Sequence, residues 1–430
     1  MSTETIKGNS IPLKGEFTPP GDKSISHRAI IIGSLAKGTT HVKGFLSCDD
    51  TLSSAKAMMM LGVPIEIQRD SLYIKGKGLF ELSEPNDIID AGNSGTTARL
   101  ISGILSAQGF FSTITGDKYL RARPMERVVK PLTLMGAKIW GRDGGKRLPL
   151  AIQGNKLSAI RYSLPVASAQ VKSALLLAGL FAKGETEVVE PTPTRDHTER
   201  MLSYFGVDFN KNGASVKIAN QSPFKGGELH VPADISSAAF FIVAALVNPN
   251  SEVLIENVGI NPHRTGIIEI LRKMGGSIEI LNERDLNGEP AGDILARSSA
   301  LKSVEIGGEI IPRAIDELPV IAVAGCFAEG ETVIKDAKEL RVKETDRIKA
   351  VTTELRKLGA EIEELEDGMI IKGKETLKGA KCSSWGDHRI AMALAVAGTQ
   401  AKDATEIDDA DCVSVSFPGF FDVMRKLRSR

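Results

Sequence analysis

Val171-Lys172-Ser173-Ala174-Leu175-Leu176-Leu177, then Gly184 and Glu187-Val188-Val189, is the stretch that decides the fold. A run of Ala and Leu that is apolar on nearly every side reads as a helix without a solvent face. The glycine ends it, and the paired valines read as a strand. The same order of polar start, apolar helix, turn and short strand recurs along the chain. It runs from Ala29 to Val42, Ala98 to Ile114, Ser237 to Ile255, Leu318 to Ile334 and Ile390 to Ile407. The turns fall at Gly38, Gly109, Gly184, Asn250, Gly330 and Asp403, with separations of 71, 75, 66, 80 and 73 residues. Six units of about 72 residues fill the 430-residue chain (430/6), which predicts a repeat architecture.

A second helix in each unit ends in a shared signature: Leu61-Gly62-Val63, Met135-Gly136-Ala137, Phe205-Gly206-Val207, Met274-Gly275-Gly276 and Leu358-Gly359-Ala360. Each glycine is expected to be the left-handed residue just past a helix end. Alternating residues such as Ile65-Glu66-Ile67 and Ile278-Glu279-Ile280 then predict strands. One unit cannot cover its own apolar helix, so the helices should pack on one another behind strands, giving an α/β fold. Two groups of three units are expected. One domain spans 21–232 with units one to three. The other joins 1–20 to 233–430 with units four to six. The chain then crosses twice, near 19–21 and 230–233.

Lys and Arg number 54, as do Asp and Glu, so formal charge is zero. That argues against a nucleic-acid or membrane-surface binder working through bulk charge. Aromatics are 5%, so the core should be Ala, Leu, Ile and Val. Cys48, Cys326, Cys382 and Cys412 are far apart and form no Cys-x-x-Cys, which excludes a disulfide scaffold or zinc site and fits a reducing, cytoplasmic setting. Met1 to Gly15 has no basic region leading into a long apolar run, so no signal peptide is expected. Apolar runs stop well short of a membrane span.

Chemistry collects where the apolar helices begin. The starts are Gly21-Asp22-Lys23-Ser24-Ile25-Ser26-His27-Arg28, Ala91-Gly92-Asn93-Ser94-Gly95-Thr96-Thr97-Ala98-Arg99 and Pro165-Val166-Ala167-Ser168-Ala169-Gln170. The later ones are Val231-Pro232-Ala233-Asp234-Ile235-Ser236-Ser237, Arg313-Ala314-Ile315-Asp316-Glu317-Leu318 and Trp385-Gly386-Asp387-His388-Arg389. A helix start offers unpaired N–H groups and partial positive charge. Further cations stand in Arg121 to Arg127, Thr194 to Arg200 and Arg341 to Arg347. A single such start is an ordinary capped helix with solvated cations. Their recurrence in a neutral chain points to a small ligand with several negative charges. Asp316 reads as a helix cap or as a base, and Glu344 as half of an ion pair or as a base. A carboxylate among cations should stay ionised and so be available as a base. No His-x-x-x-His, Cys-His or Gly-x-Ser-x-Gly pattern occurs. His27, His197 and His388 read as orienting or anion-contacting residues before catalytic ones.

Gly21 to Arg28, Gly92-Asn93-Ser94-Gly95-Thr96, Arg123-Pro124, Arg341-Val342-Lys343-Glu344-Thr345-Asp346-Arg347 and Asp387-His388-Arg389-Ile390-Ala391-Met392 closely resemble the 5-enolpyruvylshikimate-3-phosphate synthase family, in order and along the whole chain. Pro165 to Gln170 and Thr194-Arg195-Asp196-His197 look like its second class. The resemblance implies an inside-out α/β barrel in each of two domains, hinged by two crossings and closing on substrate. It implies transfer of the enolpyruvyl group of phosphoenolpyruvate to the 5-hydroxyl of shikimate 3-phosphate, with phosphate released, in the shikimate pathway to chorismate and the aromatic amino acids. It implies no metal or organic cofactor and a monomer, and the lack of a transit-peptide pattern leads us to expect a bacterial, cytoplasmic enzyme.

The resemblance also implies roles. Lys23, Ser24, Arg28, Ser168, Ala169, Gln170, Arg195, Asp316 and Lys343 would bind shikimate 3-phosphate. Lys23, Gly95, Arg123, Gln170, Arg347 and Arg389 would hold phosphoenolpyruvate. Asp316 would take the 5-hydroxyl proton, and Glu344 with Lys23 would protonate the methylene carbon. One departure is Val415-Ser416-Phe417-Pro418, where some relatives carry a lysine. Gly95 points toward glyphosate sensitivity and the second-class features away from it. The sister enzyme, UDP-N-acetylglucosamine enolpyruvyl transferase, shares fold and donor, but 117–123 holds no Cys and Lys23 to Arg28 is not its pattern. A non-enzymatic repeat scaffold would not concentrate cations at helix starts.

Overall fold

Helices without a solvent face must be covered on every side, and the architecture follows from that demand. The protein, described by a computed structural model over residues 2–8, 11–68, 70–219 and 222–429, carries six such helices. They are Lys23–Leu35, Gly95–Leu105, Ala169–Gly179, Ile235–Val247, Leu318–Cys326 and His388–Thr399. Leu318–Cys326 and His388–Thr399 are buried along their whole length.

Small sheets cover the helices. In the compact unit built from 21–231 their orders are Glu228–His230, Lys37–Lys43, Ser71–Lys77, Ile65–Gln68; then Ile89–Asp90, Phe111–Thr115, Arg147–Gln153, Lys138–Gly141; then Arg161–Ser163, Glu185–Val189, Ser215–Ala219, Phe209–Asn212. In the other they are Lys14–Phe17, Glu252–Gly259, Glu289–Arg297, Ser277–Leu286; then Glu305–Ile306, Glu331–Ile334, Met369–Lys372, Glu361–Glu364; then Lys381–Ser383, Thr405–Asp408, Thr3–Ile6. The strand after each apolar helix is central, parallel to one neighbour and antiparallel to the other.

In four of these sheets the parallel neighbour is the strand that leads into the helix, the ordinary βαβ crossover. Two strands break that rule. Lys14–Phe17 leads into Lys23–Leu35 but pairs with Glu252–Gly259, and Glu228–His230 leads into Ile235–Val247 but pairs with Lys37–Lys43. The chain divides accordingly. One compact unit is Gly21–Val231 with Leu286–Glu289, and the other is Met1–Pro20 with Pro232–Asp285 and Pro290–Arg430. The grouping of 286–289, the tip of a hairpin, with the first unit has no signal in the repeat pattern.

Each unit has its own apolar core. In the first, helices Gly95–Leu105 and Ala169–Gly179 lie so close that a Cβ on Gly103 would sit 2.2 Å from the Ala174 carbonyl oxygen. Only glycine permits that approach. The sparse aromatics are not spread evenly. Phe17, Phe240, Phe241, Phe417 and Phe420 contact one another with ring centroids 4.6 to 6.0 Å apart. The expected Ala, Leu, Ile and Val core thus has an aromatic centre in the second unit, and the Val415 to Pro418 stretch supplies part of it. Gly62, Gly136, Gly206, Gly275 and Gly359 all take positive φ past a helix end. Among the described residues no helix is long and apolar enough to cross a membrane.

Candidate active site

The helix starts differ in what already neutralises them. Ser94 accepts from the Thr97 N–H and Ser168 from the Val171 N–H, so neutral hydroxyls cap Gly95–Leu105 and Ala169–Gly179. Asp22, Asp234 and Asp387 cap their helices with carboxylates. The serine-capped ends therefore keep more of their positive charge for an outside anion.

In the first unit Arg28 is buried, and each arm is assigned. Nε donates to Thr198 Oγ1 at 2.7 Å, Nη1 to the Ser24 carbonyl at 2.9 Å and Nη2 to Ser173 Oγ at 2.7 Å. Burial pushes its guanidinium down to about 10, with Glu199 pulling the other way, so it stays charged at neutral pH. Arg195 Nη1 reaches Ser24 Oγ at 3.5 Å, and Lys23 pairs with Asp50 at 3.1 Å. Lys23, Ser24, Arg28 and Arg195 are thus brought together at one helix start.

Arg195 follows a buried ionic knot. Lys172 Nζ lies 2.8 Å from Glu190 and 2.7 Å from Glu199, and it also donates to the Thr194 carbonyl. Thr194 Oγ1 in turn donates to Glu190. On the other side, His197 Nδ1 lies 2.7 Å from Glu289. The segment 194–197 is therefore held at both ends. The spacing from Lys172 to Glu190 and Glu199 has no helical period, so the sequence carried no signal for this knot.

Gln170, Gly95 and Arg123 meet through a residue the motif reading left unassigned. Arg99 Nη1 donates to Gln170 Oε1 at 2.7 Å, and Arg99 Nη2 to the Pro124 carbonyl at 3.1 Å. Gln170 Nε2 donates to Thr96 Oγ1 at 3.0 Å. A Cβ on Gly95 would lie 2.5 Å from Arg99 Nη1 and 3.3 Å from Arg123 Nη1. Nearby, His27 Nδ1, Ser54 and Thr97 form a buried polar chain with contacts of 2.8 and 2.7 Å. Burial drives the His27 imidazole down to about 3, so it is neutral and does not meet an anion as a cation.

In the second unit one guanidinium organises the carboxylates. Arg347 Nη1 lies 3.4 Å from Asp316, Nη2 lies 2.6 Å from Glu344, and Nε lies 2.8 Å from Asp387. Burial opposes the charge on Arg347, but Asp387, Glu344 and Asp316 outweigh it and hold the group well above its ordinary value. Lys343 Nζ stands 3.5 Å from Asp316, and Arg389 Nη1 donates to the Asp316 carbonyl at 3.2 Å. Asp316, Lys343, Glu344, Arg347 and Arg389 are all in one cluster. Asp316 is not a helix cap, since the cap position of Leu318–Cys326 is Glu317, whose side chain makes no capping bond. Arg341, from the same motif, binds Asp346, Glu364 and the carbonyls of Leu365 and Glu366, a structural task.

Arg264 was missed in the sequence. It is buried between Asp234 (3.1 Å) and Ser236 (2.7 Å) at the start of Ile235–Val247. The signal was there in Asn261-Pro262-His263-Arg264, a cation before a second helix like those at Arg195 and Lys343.

Residues 8–424 match the family described as EPSP synthase (3-phosphoshikimate 1-carboxyvinyltransferase). The chain is 54% identical over 427 residues to a 3-phosphoshikimate 1-carboxyvinyltransferase of Geotalea uraniireducens, covering 99% of both chains. It is 56% identical over 417 residues to that of Syntrophotalea carbinolica, covering 97% of both. The structure superposes on EPSP synthase from Acinetobacter baumannii with a TM-score of 0.90 at 45% identity, covering 99% of this chain and 98% of the other. These matches do not favour the sister enzyme. The chain belongs to the EPSP synthase (3-phosphoshikimate 1-carboxyvinyltransferase) family.

Proposed function

We propose that the protein transfers the enolpyruvyl group of phosphoenolpyruvate to the 5-hydroxyl of shikimate 3-phosphate and releases phosphate. The observation that carries this reading is the Arg347 guanidinium holding Asp316 and Glu344 together beside Lys343 and Arg389. Two carboxylates fixed among cations suit proton removal and delivery on substrates that are themselves anionic. Family membership supports the same reaction.

In this reading Glu344, with Lys23, gives a proton to the methylene carbon of phosphoenolpyruvate. The neighbouring carbon becomes electron-poor, and the 5-hydroxyl attacks it while Asp316 takes the hydroxyl proton. The adduct then loses a methyl proton and phosphate to form the enol ether. Lys23, Ser24, Arg28, Ser168, Ala169, Gln170, Arg195, Asp316 and Lys343 bind shikimate 3-phosphate. Lys23, Gly95, Arg123, Gln170, Arg347 and Arg389 hold phosphoenolpyruvate. The hydroxyl-capped starts of Gly95–Leu105 and Ala169–Gly179 suit these anions.

The architecture we infer for this task is an inside-out α/β barrel in each domain, built from three units of about 72 residues (430/6). The domains, 21–232 and 1–20 with 233–430, close on substrate about the crossings near 19–21 and 230–233. The strands exchanged at those crossings support that hinge. The enzyme acts as a cytoplasmic monomer. Mixing the folded protein with phosphoenolpyruvate and shikimate 3-phosphate and measuring phosphate tests the reaction. No release overturns it.

A further inference from the structure

Helix Arg347–Lys357 grips the segment before His388–Thr399 at two points. Arg347 holds Asp387 at 2.8 and 3.3 Å. Two turns later on the same face, the buried Glu354 accepts the Ser383 N–H at 3.0 Å and the Trp385 indole N–H at 2.8 Å. Between the grips, Trp385 and Gly386 have φ of 57° and 68°. Glycine adopts this conformation freely. A bulky residue seldom does, because its Cβ crowds the backbone, and it persists only where its surroundings fix it. Here the Trp385 N–H donates to Ser383 Oγ and the Gly386 N–H to Ser384 Oγ, both at 3.1 Å. The turn delivers Asp387, whose carboxylate accepts the Arg389 N–H at 2.9 Å. It also aims Arg389 at Asp316.

We propose that Glu354 and Trp385 are positioning residues, a clamp that sets the left-handed turn and thereby aims Asp387 and Arg389. They act through those two residues. The proposal rests on reading Arg347 and Arg389 as holders of phosphoenolpyruvate, and it predicts that loosening the clamp weakens one substrate and spares the other.

Trp385→Phe keeps a ring and deletes the indole N–H. Trp385→Gly deletes the same bond in a residue relaxed at positive φ. Glu354→Gln loosens its bonds to Ser383 and Trp385 and also removes its ion pair with Lys357. Phosphate release is measured in the full chain with each substrate varied separately. The expected result is a KM for phosphoenolpyruvate raised about five- to tenfold in all three, with the KM for shikimate 3-phosphate within about twofold. An unchanged KM for phosphoenolpyruvate in Trp385→Phe and Trp385→Gly overturns the proposal. If Glu354→Gln does not fold, the two variants of the exposed Trp385 decide. Amide hydrogen exchange at 385–389, read without substrate, separates this claim from the reaction. Faster exchange in the variants is expected. Unchanged protection overturns the clamp, even where a wild type that releases no phosphate has already overturned the reaction.

Discussion

Arg347 Nη2 lies 2.6 Å from Glu344 Oε2, and the same guanidinium reaches Asp316 through Nη1 at 3.4 Å. One buried cation thus sets the separation of the two residues assigned to proton transfer. Glu344→Gln keeps the size of the side chain and removes its proton. We expect kcat to fall about 10²- to 10⁴-fold with both KM values little changed. Asp316→Ala should lose most turnover, while the other groups assigned to shikimate 3-phosphate keep much of its binding. Steady-state phosphate release with separate binding titrations checks both. Weakened binding with turnover intact at saturation would refute the assignment of Asp316 as base.

A methyl group on Gly95 would point at the Arg99 and Arg123 guanidinium groups, at 2.5 and 3.3 Å. Those are flexible side-chain ends, so the fold should tolerate Gly95→Ala. The guanidinium groups must shift, however, and Arg123 is assigned to phosphoenolpyruvate. The expected outcome is a KM for phosphoenolpyruvate at least about tenfold higher, an unchanged melting temperature, and a KM for shikimate 3-phosphate within about twofold. Equal KM values in variant and wild type would show that the arginines swing clear without consequence.

Lys172 is buried with Glu190 and Glu199. Burial opposes its charge, but Glu199 and then Glu190 outweigh burial and raise its value above 10.5. A base raised on folding contributes stability that is complete below its unfolded value and is lost as pH climbs through the folded one. Stability from this group should therefore hold from pH 7 to about 10 and fall only beyond. Lys172→Met strands two buried carboxylates and should cost about 3–5 kcal/mol at pH 7. Urea unfolding measures it, and an unchanged midpoint would dismiss the knot as a support.

His27 behaves in the opposite sense. Burial lowers it from 6.5 to about 3, against Asp50, with Lys23 and Arg28 adding to burial. The unfolded chain takes up this proton before the folded one. Stability from the neutral imidazole is thus complete above pH 6.5 and is lost as pH falls toward 3. In His27→Gln the drop in unfolding free energy between pH 7 and pH 4 should be smaller than in the wild type. Equal drops would show that the ring is reachable by water and protonates in place.

Spacing and residue type by themselves determined the elements and the chemistry on offer. Helices apolar all round, such as Leu318–Cys326, can only be buried, and that is a local property of nine consecutive residues. Gly62 and Gly359 mark helix ends because positive φ is a local demand. Motifs likewise placed cations and carboxylates at helix starts. What a side chain does there was not local. Glu190 and Glu199 hold Lys172, Glu354 holds Trp385, and Arg99 joins Gln170 to the Pro124 carbonyl only because separate elements pack together. Arg28 and Arg341 have the same chemistry and similar motif settings. Only tertiary structure shows that Arg28 sits buried at a helix start beside Ser24, while Arg341 is spent on Asp346, Glu364 and two carbonyls. The expected crossings already put Lys14–Phe17 and Glu228–His230 with the domains they join, but their partners, Glu252–Gly259 and Lys37–Lys43, were settled by packing, because a strand's partner is chosen by the sheet edge it meets and not by the helix it precedes.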